Sequence, residues 1–70
     1  MTYPLIDARG RSCPEPVLLT KKAVEKSSEG IMVLVDNTTA RDNITRFAKH
    51  SGYQVMSEQD GADYRITLSR

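Results

Sequence analysis

The stretch IMVLV, residues 31–35, is the longest apolar run in the chain and decides the expected fold. A short continuous run rich in β-branched residues, bounded here by Asp36 and Asn37, is typical of a strand buried inside a sheet. We therefore expect residues 31–35 to form a central strand, with the other elements arranged around it.

An amphipathic helix is predicted on each side of this strand. Gly30 is expected to end the first helix. Thr39 is expected to cap the second, with Asp42 returning the hydrogen bond, and Gly52 to close it. Apolar and small residues recur at helical spacing in both segments: Val17, Thr20, Ala23, Val24 and Ser27 in the first, and Ala40, Ile44, Phe47 and Ala48 in the second.

Three further strands are predicted at residues 3–8, 53–58 and 63–69. The sequence DGA, residues 60–62, is a strong signal for a hairpin between the last two strands. The resulting order is β-α-β-α-β-β. Because both helices have one apolar side, we expect an α+β fold in which they cover one face of a mixed four-stranded sheet, as a two-layer sandwich in a single domain over residues 1–70.

The uncovered face of this sheet should be largely polar. Strand parity assigns to it Gln54, Met56, Glu58, Arg65, Thr67 and Ser69. Met32 or Leu34 from the central strand could add an apolar patch, which would favour a dimer. We therefore expect a monomer or a weak homodimer.

Composition excludes several classes of protein. A net charge of +1 supplies no strong field for nucleic acid or membranes. The single cysteine excludes an internal disulfide and fits a reducing compartment. Since the N-terminus also lacks the apolar segment of a secretory signal, we expect a cytoplasmic protein.

The only cysteine, Cys13, lies in RSCPEPVL, residues 11–18. Proline is favoured at the first helical position and keeps the preceding residue out of the helix, so Pro14 should begin the first helix and Cys13 should cap it. The positive end of the helix and nearby Arg9 and Arg11 would favour a thiolate, whereas Glu15 would oppose it. We therefore expect a modestly activated thiol on a stiff turn.

Cys13 also has a purely structural interpretation. A lone cysteine is often a small buried apolar residue, and only an exposed position at a helix end argues against this. The residues alone leave both interpretations open.

The segment DARGRSCPEPV, residues 7–17, resembles the signature of small sulfur-carrier proteins of the TusA/SirA/YedF-like family. Their motif contains a Cys-Pro-x-Pro sequence. The matching positions are Asp7, Arg9, Gly10, Cys13, Pro14 and Pro16, with Glu15 between the two prolines. Residues 35–55 are more similar to the N-terminal domain of the YedF branch, which is associated with selenium metabolism. Members of that branch often carry a second domain, so we expect either a partner in its place or a stand-alone relative.

The resemblance implies a role for Cys13 as a persulfide acceptor. A cysteine desulfurase or a rhodanese-like protein would donate the sulfane sulfur, and a second protein would accept it, in sulfur or selenium trafficking for which tRNA thiolation is one candidate pathway. Such a protein is a sulfurtransferase-like carrier and not a stand-alone catalyst, and it needs no cofactor. The lack of a second cysteine suits this role, because a second thiol would convert the persulfide into a disulfide.

Several residues around Cys13 could contact partners. Leu18 is predicted on the exposed side of the first helix with Lys21 and Lys22, and Arg11 precedes the cysteine. His50 is expected in the last turn of the second helix, where a cation is favoured. One cysteine and one histidine cannot supply an ordinary zinc site, so no metal is predicted.

Two other functions compete with sulfur transfer. Cys13 could form mixed disulfides in a redox-responsive regulatory module. The chain could also bind RNA through Arg41, Arg46 and Lys49, although the near-neutral charge and the few aromatic residues argue against direct nucleic-acid binding.

Overall fold

A computed structural model describes residues 3–11, 15–27 and 29–70. The elements follow the predicted order β-α-β-α-β-β. They are β1 (Leu5–Asp7), α1 (Glu15–Lys26), β2 (Gly30–Val35), α2 (Thr38–His50), β3 (Gln54–Asp60) and β4 (Asp63–Ser69). The predicted first residue of α1, Pro14, and its predicted N-cap, Cys13, lie outside the described residues.

The four strands form one mixed sheet in the order β1-β2-β4-β3. β1 is parallel to β2, and the connection between them contains α1. β4 lies between β2 and β3 and is antiparallel to both. β2 and β3 therefore run in the same direction, as the crossover through α2 requires.

The core lies between the sheet and the two helices. Ile31, Val33 and Val35 of β2 have no exposed surface. They belong to one buried apolar cluster with residues of α1, α2 and β4. These residues are Val24, Ala40, Ile44, Ala48, Ile66 and Leu68. Both helices thus cover the same face of the sheet, which confirms the two-layer α+β architecture.

The start of α2 differs from the prediction. Asn37, and not Thr39, is the N-cap: its backbone is extended, and its side-chain oxygen accepts a hydrogen bond from the N–H of Ala40 at 2.7 Å. The helix begins at Thr38 because the Asn37 side chain already accepts a hydrogen bond from an N–H of the first turn, which would otherwise lack a partner. The predicted end is confirmed, since Ser51 is the C-cap and Gly52 follows with φ +87°.

The role predicted for Gly30 is wrong. α1 ends at Lys26, and Gly30 is the buried first residue of β2. A Cβ atom at this position would lie 2.7 Å from the carbonyl oxygen of Leu68 and 2.8 Å from the ring of Tyr3. Glycine is needed here because a neighbouring strand and an aromatic ring occupy the space of a side chain.

The hairpin between β3 and β4 is confirmed. Asp60 pairs with Asp63, and Gly61 adopts φ +65° in the two-residue loop, a conformation that glycine accepts without strain. β3 extends two residues beyond the predicted end at Glu58, and β1 is shorter than the predicted 3–8. Neither described helix is long and apolar enough to span a membrane.

Candidate functional site

The loop that follows β1 leads directly towards Cys13 in the sequence. Ala8 is buried, and its N–H donates to the carbonyl oxygen of Leu34 at 2.8 Å, which continues the parallel pairing of β1 with β2. Gly10 then adopts φ +72°, a left-handed conformation in which an L side chain would be strained. The chain therefore leaves the sheet at a fixed point and turns sharply there.

Arg9 ties this loop to two strands. Its guanidinium donates Nε and Nη2 to the two carboxylate oxygens of Asp7, both at 3.0 Å, and donates Nη1 to Asp63 of β4 at 3.2 Å. The backbone N–H of Arg9 also donates to Asp7 at 3.1 Å. Asp7 therefore stabilises the turn that follows β1.

These contacts change the proton affinities of the groups. The hydrogen bonds from the Arg9 side chain and backbone lower the pKa of Asp7 to about 2. The pKa of Arg9 is raised, mainly by Asp7 and secondly by Asp63. Asp7 and Arg9 therefore keep their charges at neutral pH, so the bidentate contact between them is maintained.

Asp36, at the end of β2, holds the same loop from the other side, and sequence reasoning missed this role. Its carboxylate accepts the N–H of Gly10 at 2.9 Å and the side-chain amide of Asn37 at 3.1 Å. The pKa of Asp36 is lowered, first by the Gly10 bond and then by Asn37. The sequence did contain a signal for this contact. The carboxyl ends of two neighbouring parallel strands lie at the same edge of a sheet, so an acidic residue after β2 lies beside the loop after β1.

The residues on either side of the Cys13 segment form an ion pair. Nη1 of Arg11 lies 3.2 Å from Oε2 of Glu15, and both side chains are about half exposed. Residues 12–14, with Cys13 and Pro14 among them, lie outside the described residues. The predicted projection of the sulfur into solvent is therefore a prediction still.

The charge around this loop is not positive, contrary to the expectation for Arg9 and Arg11. Arg9 is shared between Asp7 and Asp63, and Arg11 is paired with Glu15. With Asp36 added, the carboxylates outnumber the two guanidiniums. These arginines consequently supply no excess positive potential that would favour a thiolate.

A cleft of about 320 Å³ opens beside this loop, between the N-terminal ends of α1 and α2. Its wall combines residues from both sides of the Cys13 segment with residues of α2: Arg11, Pro16, Val17, Asn37, Thr39, Ala40 and Asn43. Pro16 is buried, and its carbonyl accepts the hydroxyl of buried Thr20 at 2.8 Å. The first turn of α1 is thereby fixed against the core.

The exposed side of α1 carries the predicted contact residues. Leu18 is 50% exposed, and Lys21 and Lys22 are exposed one turn further along. His50 lies in the last turn of α2, on the element that Ser51 caps. Across residues 3–11, 15–27 and 29–70, no three acidic or histidine side chains are grouped closely enough to hold a metal ion.

The chain matches known proteins over nearly its whole length. The family described as "Sulfurtransferase TusA" matches residues 5–70. A relative from Methanocaldococcus jannaschii, named "Putative sulfur carrier protein MJ0990", is 41% identical over 93% of this chain and 91% of its own. "Putative sulfur carrier protein YrkI" of Bacillus subtilis is 31% identical over 84% of this chain and 81% of its own.

A solved structure has the same architecture. The crystal structure of the SirA-like protein from Desulfitobacterium hafniense superposes with a TM-score of 0.84, at 38% identity, over 93% of each chain. The arrangement of two helices on a four-stranded mixed sheet is thus shared with an experimentally determined relative.

Proposed function

The chain belongs to the TusA/SirA-like sulfurtransferase family and has the role of a sulfur carrier, and we propose that it carries the sulfur as a persulfide on Cys13. The main support is the place of this residue in the chain. Cys13 is the only cysteine and follows directly on a loop that Asp7, Asp63 and Asp36 hold through Arg9 and Gly10. A loop fixed at so many points can present a reactive group to another protein in a constant position.

The transfer needs no external oxidant. The Cys13 thiolate attacks the outer sulfur of a persulfide on the donor protein, a cysteine desulfurase or a rhodanese-like enzyme. A new sulfur–sulfur bond forms on Cys13, the donor bond breaks, and the donor cysteine leaves as a thiolate. Delivery is the same reaction with the acceptor protein as the attacking thiolate.

The charges of the loop suit a carrier more than a catalyst. The pairing of Arg9 and Arg11 with carboxylates leaves no strong activation of a nearby thiol. The electrophilic sulfur and the alignment must therefore come from the donor. A reducing cytoplasm fits this chemistry, because a lone thiol there stays free between transfers.

The motif residues divide the work at this site. Cys13 accepts the sulfur, while Asp7, Arg9 and Gly10 position the loop before it. Pro14 and Pro16 limit the backbone after it. Glu15 and Arg11 pair across the segment, and neither needs to touch the transferred atom.

The exposed side of α1 is the docking surface we assign to the donor. Leu18 offers an apolar contact, and Lys21 and Lys22 add positive charge next to it. An acidic partner surface with an apolar centre would fit. The double variant Lys21→Glu and Lys22→Glu should slow sulfur loading, whereas the double variant Arg46→Glu and Lys49→Glu on α2, which changes the net charge by the same amount, should not.

Mass spectrometry tests the persulfide directly. The full chain is incubated with a cysteine desulfurase and cysteine, and the intact protein should gain one sulfur atom that a reductant removes. Cys13→Ser should gain none. The proposal fails if the wild-type protein stays unmodified with desulfurase and rhodanese-type donors, or if glutathione disulfide forms a mixed disulfide with Cys13 while no donor loads it.

The cargo and the acceptor can be assigned in the same assay. The similarity of residues 35–55 to the YedF branch supports selenium traffic, and the Cys-Pro-x-Pro motif supports delivery to tRNA thiolation. Loading from an equal mixture of cysteine and selenocysteine, followed by transfer to a tRNA-thiolating system, separates the two pathways by the element that reaches the product.

A further inference from the structure

The face of the sheet that the helices leave open carries a stripe across all four strands that is apolar except for Thr67 on β4. The registers place Leu5, Met32, Thr67 and Met56 side by side in one row. Leu5 is 55% and Met56 is 64% exposed, and Met32 is half-buried between them. The ring of Tyr3 extends the stripe at one end, where it lies over Gly30.

The next row on this face is charged. It contains Asp7, Leu34, Arg65 and Glu58 in register, and the hairpin beyond it adds Asp63 opposite Asp60. Arg9 and Arg65 pair with three of the four carboxylates. Within the described part of the chain, Asp60 has no ion-pair partner. The stripe therefore has an acidic border on the side where β1 leads to Cys13.

An exposed apolar patch with a polar border is typical of a protein contact surface. Methionine and aromatic residues are enriched at such surfaces, and methionine adapts to partners of different shape. The stripe meets this description with Met32, Met56 and Tyr3.

We infer that this open face is a second docking surface, which binds an amphipathic helix whose apolar side is flanked by lysine or arginine. The acidic border favours a basic partner. The outer strands are about 14 Å apart, which is about the length of ten helical residues. Two rows of side chains on a four-stranded sheet cover a much smaller area than the roughly 800 Å² per partner of a standard interface. This small area favours a single helix over a second copy of the chain as the partner.

This surface is distinct from the one on α1. The α1 surface is basic and the sheet surface is acidic, and they lie on opposite layers of the molecule. Both are next to the loop that precedes Cys13. The protein can therefore bind two partners of opposite charge on separate surfaces. Binding of a helix to the sheet surface does not require a persulfide on Cys13.

A peptide titration tests the inference. The probe is a synthetic helix of about 14 residues, with leucine on one side and lysine on the other, labelled for fluorescence anisotropy. The full chain should bind it with a dissociation constant in the micromolar range, and Met56→Glu should weaken binding about tenfold. Ser57→Glu is the matched control, because it adds the same charge to the next exposed position on the opposite side of β3.

Two further measurements locate the binding site and test its preference for a positively charged peptide. Amide chemical shifts should change at Met32, Met56 and Thr67, and the pair Glu58→Lys and Asp60→Lys should abolish the preference for the lysine peptide over one with glutamate. The inference is overturned if the glutamate peptide binds equally well, if Ser57→Glu weakens binding as much as Met56→Glu, or if no binding occurs. It is also overturned if sedimentation shows a dimer that Met56→Glu, and not Ser57→Glu, dissociates, since the occupant is then a second copy.

Discussion

Alternate residues of β2 have opposite surroundings. Ile31, Val33 and Val35 face the helices and have no exposed surface, whereas Met32 and Leu34 face outwards and are only half-buried. All five are apolar, so composition does not distinguish them. Their neighbours do: the covered residues belong to the buried cluster that both helices share, whereas the open ones lie beside charged and exposed residues of the adjoining strands. The covered face thus holds the fold together, and the open face is left for contacts with other molecules.

The largest effect should come from a truncation on the covered face. Ile31→Ala removes buried methyl groups and leaves a cavity, so the free energy of unfolding should fall by about 2–5 kcal/mol. Met32→Ala, the next residue on the open face, should cost about 1 kcal/mol or less because part of its side chain already contacts water. Urea denaturation of both variants measures the difference, and equal losses would contradict the division between the faces.

A methyl group at the start of β2 should have the next largest effect. Gly30→Ala places a Cβ against the Leu68 carbonyl and the Tyr3 ring, so unfolding should become easier by about 1–3 kcal/mol. Adding Tyr3→Ala should restore only part of this loss, because the carbonyl remains. A more stable Gly30→Ala variant would show that the close approach on the open face is not real.

The cap of the covering helix should matter less. Asn37→Ala removes the acceptor for the Ala40 N–H and should lower the free energy of unfolding by about 1 kcal/mol. Thr39→Ala is the control, since Thr39 is exposed in the first turn of α2 and does not cap it. A greater loss in Thr39→Ala would instead support the start predicted from the sequence.

The smallest effect is a contribution to stability that should be lost in acid. The pKa of Asp7 is about 2 in the folded chain against 3.8 as its ordinary value, because Arg9 donates hydrogen bonds to the carboxylate. The unfolded chain therefore binds a proton at Asp7 first as the pH falls. This contribution to stability should be complete above about pH 4 and should disappear as the pH falls towards 2.

Asp7→Asn isolates this contribution. The difference in free energy of unfolding between the wild-type protein and Asp7→Asn should be constant at neutral pH and should shrink between pH 4 and 2. A difference that does not change over this range would mean that the Asp7–Arg9 contact is no stronger in the folded chain than in the unfolded chain.

The order of elements was predictable because local patterns determine it. Residues 31–35 and the apolar stripes of both helices identified the core, and Gly52 and Gly61 marked turns that need positive φ. Asn37 and Thr39 both belong to residue types that cap helices, and Asp42, three residues after Thr39, favours Thr39 through a capping-box pattern that the structure does not use. Local patterns thus gave elements more reliably than their boundaries.

Contacts between distant residues could not be read in the same way. Gly30 looks like a helix stop until Tyr3 and Leu68 are seen to occupy its side-chain space. Asp63 lies 54 residues from Arg9, and Asp36 lies 26 from Gly10. The motif predicted that Asp7, Arg9 and Gly10 matter, but the residues that hold them come from other strands.

The position of β4 has a consequence for synthesis. The ribosome makes this strand after the other three, and yet it lies between β2 and β3. Until residues through Ser69 have emerged from the exit tunnel, β3 has no strand to pair with, and β2 is paired only with β1. The nascent chain can therefore complete its sheet only after these residues have left the ribosome. Before that point its unpaired strands are most open to chaperones and to aggregation.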